Sequence, residues 1–514
     1  MSMVKVMKID EWLEKKSIEK DAIIFKDQHW TFSHLNKLIT KTSLFLQNEC
    51  QLKVGDRFCY YGTNNPEQIV LLFAASKIGA IMFPINWRLA NPEIEYLINH
   101  SNPNVIFFDT KFGDKISQIH IPRSIKTIAV DNSEINQKSL EARRLSCNGR
   151  IKKTIKNNLP LLLVYTSGTT GKPKGALLGQ KAIISNAKMS HDAHSLKSSD
   201  KVLISLPLFH VGGINILFLP ALLKSATVVL QERFEPDQAL EIIRKFKITK
   251  MITVPTILDQ MIKSRFWIKA NYKYLQVISI GSTNVPKYLI KKLHSINIPI
   301  IQIYGATETG PLAIYQKVKD AFITEGSIGK AGSLCKIKLV DEDLNEVSIG
   351  QPGQILVKGE NILECYWNDE IASQQSIKEG WFLTGDIAKI DEDGNYWFID
   401  RIKNVIISGG ENIYPAELEL LLLNNKDLVE YSIVGKHDDK WGEVPVIVAV
   451  KKNKSVTSDQ ILHLFNEKVA KYKIPKEVVF VDYLPRNALG KIVNDEVKKL
   501  LKHHGGEEKS NSWN

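Results

Sequence analysis

Alternating apolar and polar segments run along most of the chain and predict an α/β fold. Apolar residues at helical spacing predict an amphipathic helix within residues 30–46 and a second one at 236–245. Apolar runs bounded by Gly, Pro or Ser predict buried strands at residues 161–165, 202–206, 276–280 and 300–304. Strands that alternate with helices indicate a sheet covered by helices. The loops that follow such strands are where open α/β sheets bind ligands.

The order of the predicted elements changes near residue 400. Beyond it the pattern predicts a helix that begins at Pro415, a helix with Ser458 as its N-cap, and strands at 429–434, 444–451 and 477–483. An α+β unit of about a hundred residues is large enough to form a domain, and 514 residues exceed what one core usually supports. We therefore expect a large domain at 1–400, a small domain at 401–502 and a polar, disordered tail at 503–514.

The chain is basic, with a net charge of +12 and a pI near 9.1, and its lysines are scattered along the sequence. No recognition motif accompanies this charge, so we expect no nucleic-acid partner and only a general attraction of anionic substrates. The longest apolar stretches are interrupted by Lys77, Asn215, Pro220 and Lys224, so no membrane span is predicted. Peripheral contact with a membrane and assembly into a homodimer both stay open.

The five cysteines are far apart and form no Cys-x-x-Cys pair, which argues against a disulfide framework and a structural zinc site. Residues 1–11 lack the apolar core of a signal peptide. A reducing, cytoplasmic location is therefore the expectation.

The sequence Tyr-Thr-Ser-Gly-Thr-Thr-Gly-Lys-Pro-Lys-Gly at residues 165–175 is the strongest chemical signal. It follows a predicted buried strand and combines glycines, hydroxyl-bearing residues and lysines. Glycines let backbone N–H groups approach an anion, hydroxyls donate hydrogen bonds and lysines neutralise charge. The loop differs from a Walker P-loop, because two residues separate Gly168 from Gly171 and because Pro173 follows Lys172. It therefore predicts a phosphate site of another class.

Six motifs, in order along nearly the whole chain, resemble those of the adenylate-forming superfamily, which includes acyl-CoA synthetases, luciferases and peptide-synthetase adenylation domains. Besides the loop at 165–175, they are Tyr304-Gly-Ala-Thr-Glu308, Gly380-Trp-Phe-Leu-Thr-Gly-Asp386, Asp400-Arg-Ile-Lys403, Ser408-Gly-Gly-Glu-Asn-Ile-Tyr-Pro415 and Pro485-Arg-Asn-Ala-Leu-Gly-Lys491. The resemblance implies a large α/β N-terminal domain and a small mobile α+β C-terminal domain, as in luciferases and acyl-CoA synthetases. It also implies an enzyme that uses ATP to adenylate a carboxylate.

The resemblance implies an ATP site assembled from several of these motifs. Asp386 would accept hydrogen bonds from both ribose hydroxyls, and Arg401 would reinforce that side. The family's usual adenine-facing Gly-Gly-Ala-Pro is Gly-Ser-Thr-Asn at residues 281–284 here. The residues implied around adenine are Gly281, Ser282, Thr283, Tyr304 and Gly305. Those implied in the phosphate loop are Thr166, Ser167, Gly168, Thr169, Thr170, Gly171, Lys172 and Lys174.

The same resemblance assigns the catalytic groups and the cofactors. Thr307 would bond the α-phosphate, and Glu308 would hold Mg²⁺, a hard cation that prefers carboxylate and phosphate oxygens. Lys491 would bridge the substrate carboxylate and the α-phosphate, because two anions that repel each other need a cation between them. The implied cofactors are ATP, Mg²⁺ and, as a co-substrate, CoA.

A second set of residues resembles the parts that CoA ligases use after adenylation. Ser408, Gly409 and Gly410 resemble the loop that lines the narrow pantetheine tunnel. Lys403, two residues after the ribose-side arginine, matches the hinge about which the small domain rotates between the half-reactions. Both assignments are implications of the resemblance.

His210, Gly212 and Gly213 resemble the segment in which a histidine gates the acyl pocket, although an ordinary buried histidine explains His210 equally well. The favoured function is an acid–CoA ligase: carboxylate and ATP give acyl-AMP and pyrophosphate, and acyl-AMP and CoA then give acyl-CoA and AMP. A fatty acid is the first expectation for the carboxylic acid, and an aryl acid or o-succinylbenzoate comes second. The sequence also leaves open a non-CoA adenylating enzyme, similar to a peptide-synthetase domain, and a non-catalytic nucleotide-binding homologue. The presence of Lys491 and Glu308 favours an enzyme over a non-catalytic homologue.

Overall fold

The computed structural model describes residues 8–14, 18–26, 28–131, 139–152, 158–166, 173–282, 285–423, 425–487 and 490–507. The chain divides into two compact units, the first comprising Met1–Ile337 with Leu356–Leu383 and the second comprising Lys338–Ile355 with Thr384–Asn514. These two units are defined by how compactly each one packs, which does not identify the residue about which a domain rotates. The domain boundary expected after residue 400 therefore stays a prediction.

The strands, in chain order, are β1 Asp21–Phe25, β2 Gln28–Thr31, β3 Arg57–Tyr61, β4 Ile81–Ile85, β5 Val105–Phe108, β6 Lys126–Ala129, β7 Pro160–Thr166, β8 Lys174–Gly179, β9 Lys201–Ile204, β10 Thr227–Leu230, β11 Lys250–Thr253, β12 Val277–Ile280, β13 Ile300–Tyr304, β14 Ile314–Tyr315, β15 Lys330–Ala331, β16 Cys335–Val340, β17 Gly353–Gly359, β18 Cys365–Tyr366, β19 Ile377–Lys378, β20 Trp381–Ile390, β21 Tyr396–Arg401, β22 Ile406–Ser408, β23 Glu411–Ile413, β24 Leu428–Asp438, β25 Gly442–Lys451 and β26 Glu477–Phe480.

The helices are α1 Ile9–Glu14, α2 Phe32–Asn48, α3 Pro66–Ile78, α4 Asn91–Ser101, α5 Gly113–Gln118, α6 Leu140–Arg144, α7 Gln180–His194, α8 Val211–Gly213, α9 Leu219–Leu223, α10 Pro236–Phe246, α11 Pro255–Lys263, α12 Lys287–His294, α13 Glu370–Ser376, α14 Pro415–Leu422, α15 Ser458–Leu462 and α16 Asn494–Glu507. A π-helical stretch, Ile214–Phe218, joins α8 to α9.

Two sheets form the body of the first unit. One has the order β15-β14-β13-β12-β11-β9-β10-β1-β2, and its inner strands from β13 to β1 run parallel. The other has the order β18-β8-β7-β4-β3-β5-β6, and its strands from β7 to β6 run parallel. Parallel strands covered on both faces are buried throughout, which explains why their sequences are unbroken apolar runs. The four predicted strands correspond to β7, β9, β12 and β13 within two residues at either end, and the α/β body is confirmed.

Helices cover both faces of these sheets. Helix α3 is buried along its whole length in an apolar core that includes residues of both sheets. Helices α10, α11 and α12 pack on the opposite face of the first sheet, and α4 and α5 pack on the opposite face of the second. The predicted helix at 236–245 is α10. The one predicted at 30–46 is α2, which begins at Phe32 because the Thr31 side chain accepts a hydrogen bond from the His34 N–H and caps it.

The second unit contains a sheet of order β23-β22-β25-β24, with β26 paired to β25. Helix α14 begins at Pro415 as predicted, and the three predicted strands are β24, β25 and β26. The predicted N-cap of α15 is wrong. Thr457 caps this helix instead of Ser458, because the side chains of Thr457 and Gln460 each accept the other's backbone N–H.

Four further observations complete the fold. A five-stranded sheet has the order β16-β17-β20-β19, with β21 paired to β20. Helix α16 extends to residue 507 and so includes residues 503–507 of the predicted tail, while 508–514 lie outside the described residues. In the described part of the chain no helix has the length and apolar character that a membrane span requires. All five cysteines are described, and none of them forms a disulfide.

Candidate active site

The carboxyl ends of β7, β12 and β13 bring several predicted site residues together in the first unit. Since β12 and β13 are parallel neighbours, Gly281 and Tyr304 lie at adjacent strand ends. The end of β7 reaches the same place, because the Thr166 hydroxyl donates to Oε1 of Glu308 over 3.5 Å. Thr166 also pairs with Lys174 across the β7–β8 ladder, so these two residues mark the base of the predicted phosphate loop. The remaining assigned loop residues lie outside the described residues, namely Ser167, Gly168, Thr169, Thr170, Gly171, Lys172 and, after β12, Thr283.

Glu308 is the acidic centre of this region, and hydroxyl groups orient its side chain. The Tyr366 hydroxyl donates to Glu308 Oε1 at 2.9 Å, and the Leu363 N–H donates to the Glu308 carbonyl at 2.7 Å. Burial, followed by the nearby carboxylate, raises the pKa of Tyr366 far above its ordinary value, so this hydroxyl remains a donor. Lys174 Nζ lies 5.5 Å from the centroid of the Tyr366 ring. The carboxylate is thus held in place by neutral donors at one of its oxygens.

Three buried asparagines fix the turn at residues 304–312, which carries Thr307 and Glu308. Asn361 donates from Nδ2 to two carbonyls of the turn at 2.9 and 3.0 Å. Asn186 accepts a backbone N–H of the turn at 2.9 Å, and Asn215 donates to one of its carbonyls at 3.0 Å. All three side chains are fully buried, so losing one would leave polar backbone groups unpaired away from water. The asparagines therefore set the position of both catalytic candidates.

Close backbone packing holds the start of the same turn. A Cβ on Gly305 would lie 1.8 Å from the carbonyl oxygen of Pro311, so only glycine permits this approach. The Thr309 hydroxyl oxygen accepts the Ala306 N–H at 2.9 Å and closes the turn. Ser282, after the neighbouring strand, has a φ of 75°. The described adenine-side residues therefore share one strand-end edge, and their contacts with adenine stay a prediction.

In the second unit, Asp386, Arg401 and Lys491 lie together. Asp386 and Arg401 face each other on β20 and β21, with Arg401 Nε 3.0 Å from Asp386 Oδ1. Burial and, to a smaller extent, the charge of Arg401 lower the pKa of Lys491 to about 8, although Asp386 opposes the shift. Asn487 supports the lysine's backbone, because its Oδ1 accepts the Lys491 N–H at 3.0 Å and its own N–H donates to the Lys491 carbonyl at 2.8 Å. The predicted ribose carboxylate, ribose-side arginine and catalytic lysine thus share one site.

The predicted hinge residue Lys403 lies in a short turn, Ile402–Asn404, directly after β21. On its N-terminal side, the buried carboxylate of Asp400 accepts three hydrogen bonds of 2.7 to 3.0 Å, two of them from backbone N–H groups. Lys403 Nζ forms an ion pair with Asp495 at 3.0 Å, and both side chains are well exposed. Exposed ion pairs contribute little to stability. Asp400 therefore anchors this segment, and the hinge role of Lys403 stays a prediction.

Ser408, Gly409 and Gly410 form the tip of the β22–β23 hairpin. Ser408 pairs with Glu411, which leaves a two-residue loop in which Gly409 and Gly410 have φ values of 60° and 86°. Two-residue hairpins with positive φ at both positions strongly favour glycine. A Cβ on Gly409 would also lie 2.9 Å from the Trp441 ring. Backbone geometry thus explains both glycines, and the contact with pantetheine stays a prediction.

His210 begins the buried helical segment that the sequence associated with the acyl pocket. Its Nδ1 accepts the Gly212 N–H at 3.0 Å, which assigns the proton of the neutral ring to Nε2. Burial lowers the pKa of His210 to about 4, so the ring is neutral at pH 7. Every residue from Val211 to Leu223 is buried, including Gly213 and the π-helical stretch Ile214–Phe218. Such π-helical stretches are frequent at functional sites.

Comparison with known proteins identifies the family. Residues 9–367 match the AMP-binding enzyme family, and residues 417–491 match the AMP-binding enzyme C-terminal domain. The chain belongs to this family. The resemblance inferred from the six motifs is therefore confirmed, together with the large α/β and small C-terminal architecture.

Relatives of this AMP-binding enzyme include CoA ligases of aromatic acids. The chain is 41% identical to an indoleacetate–CoA ligase of Aromatoleum aromaticum, over 96% of this chain and 98% of that protein. It is 31% identical to a feruloyl-CoA synthase of an Amycolatopsis species, over 91% and 93%. The o-succinylbenzoate CoA synthetase of Bacillus subtilis, solved with its acyl-adenylate intermediate, matches with a TM-score of 0.84 at 30% identity, over 95% and 97% of the two chains. The same synthetase, solved with ATP and magnesium, matches with a TM-score of 0.84 at 29% identity, over 95% and 99%.

The acidic residues of this AMP-binding enzyme suit a magnesium ion that is bound mainly by substrate phosphates and water, with one carboxylate from the protein. Within the described ranges, no group of three or more His, Cys, Asp and Glu side chains is arranged to hold a metal ion. Mg²⁺ commonly takes one or two carboxylates together with phosphate oxygens and waters. Glu308, oriented by Tyr366, offers one such carboxylate beside the base of the phosphate loop.

The sequence motifs did not indicate four residues that support the site. Tyr366 and the three asparagines at positions 186, 215 and 361 hold Glu308 and its turn, but each is a single polar residue outside the six motifs. Only the burial of a polar side chain signals such a role, and a single sequence does not show burial.

Tyr366→Phe removes a hydroxyl that orients Glu308 and should raise the Mg²⁺ requirement of adenylation. Loss of a residue that orients a metal ligand typically costs about 10–100-fold in metal affinity, so we expect half-maximal pyrophosphate release at roughly 10-fold higher Mg²⁺. The matched control is Tyr315→Phe, whose hydroxyl instead donates to Asp192 at 2.9 Å. An unchanged Mg²⁺ requirement in folded Tyr366→Phe would contradict the proposed orientation.

The lowered pKa of Lys491 predicts that adenylation declines in alkaline solution. Because kcat/KM for ATP reports the free enzyme, it should fall about tenfold per pH unit above the lysine's pKa of about 8, where the ammonium loses its proton. Arginine stays charged throughout this range. Lys491→Arg should therefore be slower but should lack the alkaline decline, and an identical decline in this variant would assign the titration to another group.

Proposed function

We propose that this AMP-forming acid–CoA ligase activates an aromatic carboxylic acid, with an arylacetic acid as the first choice. The observation that carries the proposal is the 41% identity, over nearly the full length of both chains, to an indoleacetate–CoA ligase. A feruloyl-CoA synthase is a second relative that is named for an aromatic acid. The fatty acid expected first from the sequence is therefore the less supported choice, and an aryl acid takes its place.

The candidate acyl segment suits a flat, uncharged ring. A pocket bounded by His210 and the buried helix beyond it would offer an N–H at Nε2 and an apolar wall. Burial of an aromatic ring against such a wall contributes about 25 cal/mol for each Å² removed from water. The neutral imidazole cannot neutralise the acid's carboxylate, so that task falls to a cation elsewhere in the enzyme.

In the first half-reaction, a carboxylate oxygen of the acid attacks the α-phosphorus of ATP, and the bond to pyrophosphate breaks with its electron pair. When bound, Mg²⁺ would supply neutralisation of the phosphate charge, and Glu308 would hold it. Asp386, paired with Arg401, would accept the ribose hydroxyls and fix the nucleotide. Lys491, charged below about pH 8, would stabilise the negative charge that the carboxylate and the α-phosphate share in the transition state.

In the second half-reaction, the thiol of CoA attacks the acyl carbonyl carbon, loses its proton, and AMP leaves with the bonding electrons of the mixed anhydride. The hairpin tip Ser408–Gly410 would flank the pantetheine arm. The absence of side chains on Gly409 and Gly410 would leave room there for a thin substrate arm. Rotation of the small domain about Lys403 would switch the enzyme from the first half-reaction to the second.

The test of the acid is a comparison of CoA-dependent AMP formation with indoleacetate, phenylacetate, ferulate, o-succinylbenzoate and a medium-chain fatty acid. We expect kcat/KM for an arylacetate to exceed that for the fatty acid by at least about tenfold, which one well-filled apolar pocket can supply. Omission of CoA should leave pyrophosphate release but no thioester. A preference for the fatty acid would overturn the aromatic assignment while leaving the acid–CoA ligase activity intact.

Separate measurement of the two half-reactions tests the proposed roles of Lys491 and Lys403. Lys491→Ala should abolish acyl-AMP formation yet still convert supplied acyl-AMP and CoA to the thioester. Lys403→Pro restricts the backbone at the proposed hinge, so it should release pyrophosphate and then stall before the thioester. Lys426→Ala, an exposed lysine of the same unit, serves as the control. Equal loss of both half-reactions in both folded variants would show that the division of roles is wrong.

A further inference from the structure

Most of the protein's net positive charge comes from one part of the chain. Residues 236–296 contain eleven lysines and arginines and three acidic residues, a net +8 of the chain's +12. This range contains α10, β11, α11, the connection after α11, β12 and α12. Most of the chain's 68 lysines and arginines lie elsewhere, but few acidic residues balance the eleven in this stretch.

The three helices of this range form one layer on the first sheet. Their buried residues, among them Leu240, Met261 and Leu289, pack into the same apolar core as Leu203 and Met251 of the sheet. The Tyr288 hydroxyl donates to Asp259 at 2.9 Å and so links α12 to α11. Because the apolar residues of each helix face the sheet, the charged residues lie on the opposite, solvent-facing side.

Ten of the eleven basic residues are exposed, six on the three helices and four on the segments that follow α10 and α11, and together we call them the basic face. The eleventh, Lys250, is buried and lies 3.5 Å from Asp200, so it belongs to the interior. One acidic residue of the range, Asp259, is already paired with Lys263 at 2.6 Å. The residues of the basic face are Arg244, Lys245, Lys247, Lys263, Arg265, Lys269, Lys273, Lys287, Lys291 and Lys292.

Apolar and aromatic side chains lie among these charges. Ile268 is 92% exposed, and Tyr274 and Tyr288 are 39% and 43% exposed. Lys247 Nζ and Lys273 Nζ lie 5.4 and 5.9 Å from the centroid of the Tyr274 ring. Exposure of an isoleucine side chain to water is unfavourable. Ile268 is close in sequence to Arg265 and Lys269 of the basic face. Basic residues mixed with aromatic and aliphatic ones are typical of surfaces that lie on membranes.

We propose that the basic face docks the protein on an anionic lipid bilayer, with Ile268 entering the headgroup region. Clustered lysines within a Debye length of such a surface add their attractions to anionic headgroups. Eight of the ten charges are lysines, which act as point charges and lack the planar fork that favours bidentate contacts with nucleic-acid phosphates and bases. A second copy of the chain would present the same charge, so self-association through this face is disfavoured.

The experiment is co-sedimentation of the full-length protein with lipid vesicles. We expect binding to phosphatidylcholine vesicles that contain about one-third phosphatidylserine, no binding to phosphatidylcholine alone, and at least about a tenfold loss of binding at high salt. Equal binding to both vesicle types, or no binding to either, would overturn the proposal. Tight binding to duplex DNA without binding to the anionic vesicles would also overturn the proposal.

A pair of charge-matched variants separates the face from the overall charge. The face variant changes Lys245, Lys247, Lys269 and Lys273 to Glu, and the control variant changes the exposed residues Lys378, Lys426, Lys452 and Lys454 to Glu. The face variant should lose vesicle binding by at least about tenfold while the control retains it. Ile268→Ser should weaken the binding that persists at high salt. Both quadruple variants should keep their CoA ligase activity in the absence of lipid, and equal loss of binding in both would show that only the net charge matters.

Discussion

An ammonium group withdrawn from water beside a guanidinium is difficult to keep charged, and Lys491 is in this position. Burial and Arg401 lower its pKa to about 8 from an ordinary 10.5, which corresponds to a penalty of roughly 3 kcal/mol on the charged form. Asp386 offsets part of this penalty, although it also pairs with Arg401. ATP and a carboxylate would bring negative charge to the same place. The protein therefore holds a cation whose full stabilisation depends on the anionic substrates, which is what electrostatic catalysis of adenylation requires.

Glu308 shows the same arrangement with the opposite sign. Its described hydrogen bonds come from the hydroxyls of Thr166 and Tyr366, which orient the carboxylate without cancelling its charge. The buried pair of Arg144 and Glu67 is different, because two hydrogen bonds of 2.5 and 2.7 Å join the two charges to each other. A carboxylate that already pairs with a buried cation has little to offer a metal ion. The contrast separates charges that stabilise the fold from charges that are kept for ligands.

The sequence pattern predicted the helices and strands of this fold well, but it did not predict which residues contact the functional side chains. Buried parallel strands such as β7 and β13 are continuous apolar runs, so a local pattern was sufficient to find them. The motifs named Glu308 and Lys491, but a partner such as Tyr366 is a single polar residue far away in sequence, which only the folded topology brings to the site. The clustering of charge was likewise beyond the pattern, because apolar helix positions and β12 separate the lysines of the basic face along the chain. Three amphipathic helices packed on one sheet bring the lysines that they carry onto its solvent-facing side.

The contacts around Lys403 set the energetic cost of the proposed rotation. Asp400 accepts three hydrogen bonds in a buried place, and breaking them would expose an unpaired carboxylate at a cost of about 1–3 kcal/mol for each lost bond. The ion pair of Lys403 with Asp495 is exposed, and such pairs contribute about 0–1 kcal/mol. Two of the three donors to Asp400, the Asn404 side chain and the Ala416 N–H, lie beyond Lys403, so a rotation at Lys403 has to break these two hydrogen bonds as well as the ion pair. If the chain turned at Lys403, Lys491 would move relative to Arg401, which precedes the hinge. Relief of the repulsion between these two cations would then offset part of the cost of leaving the adenylating arrangement once pyrophosphate has departed.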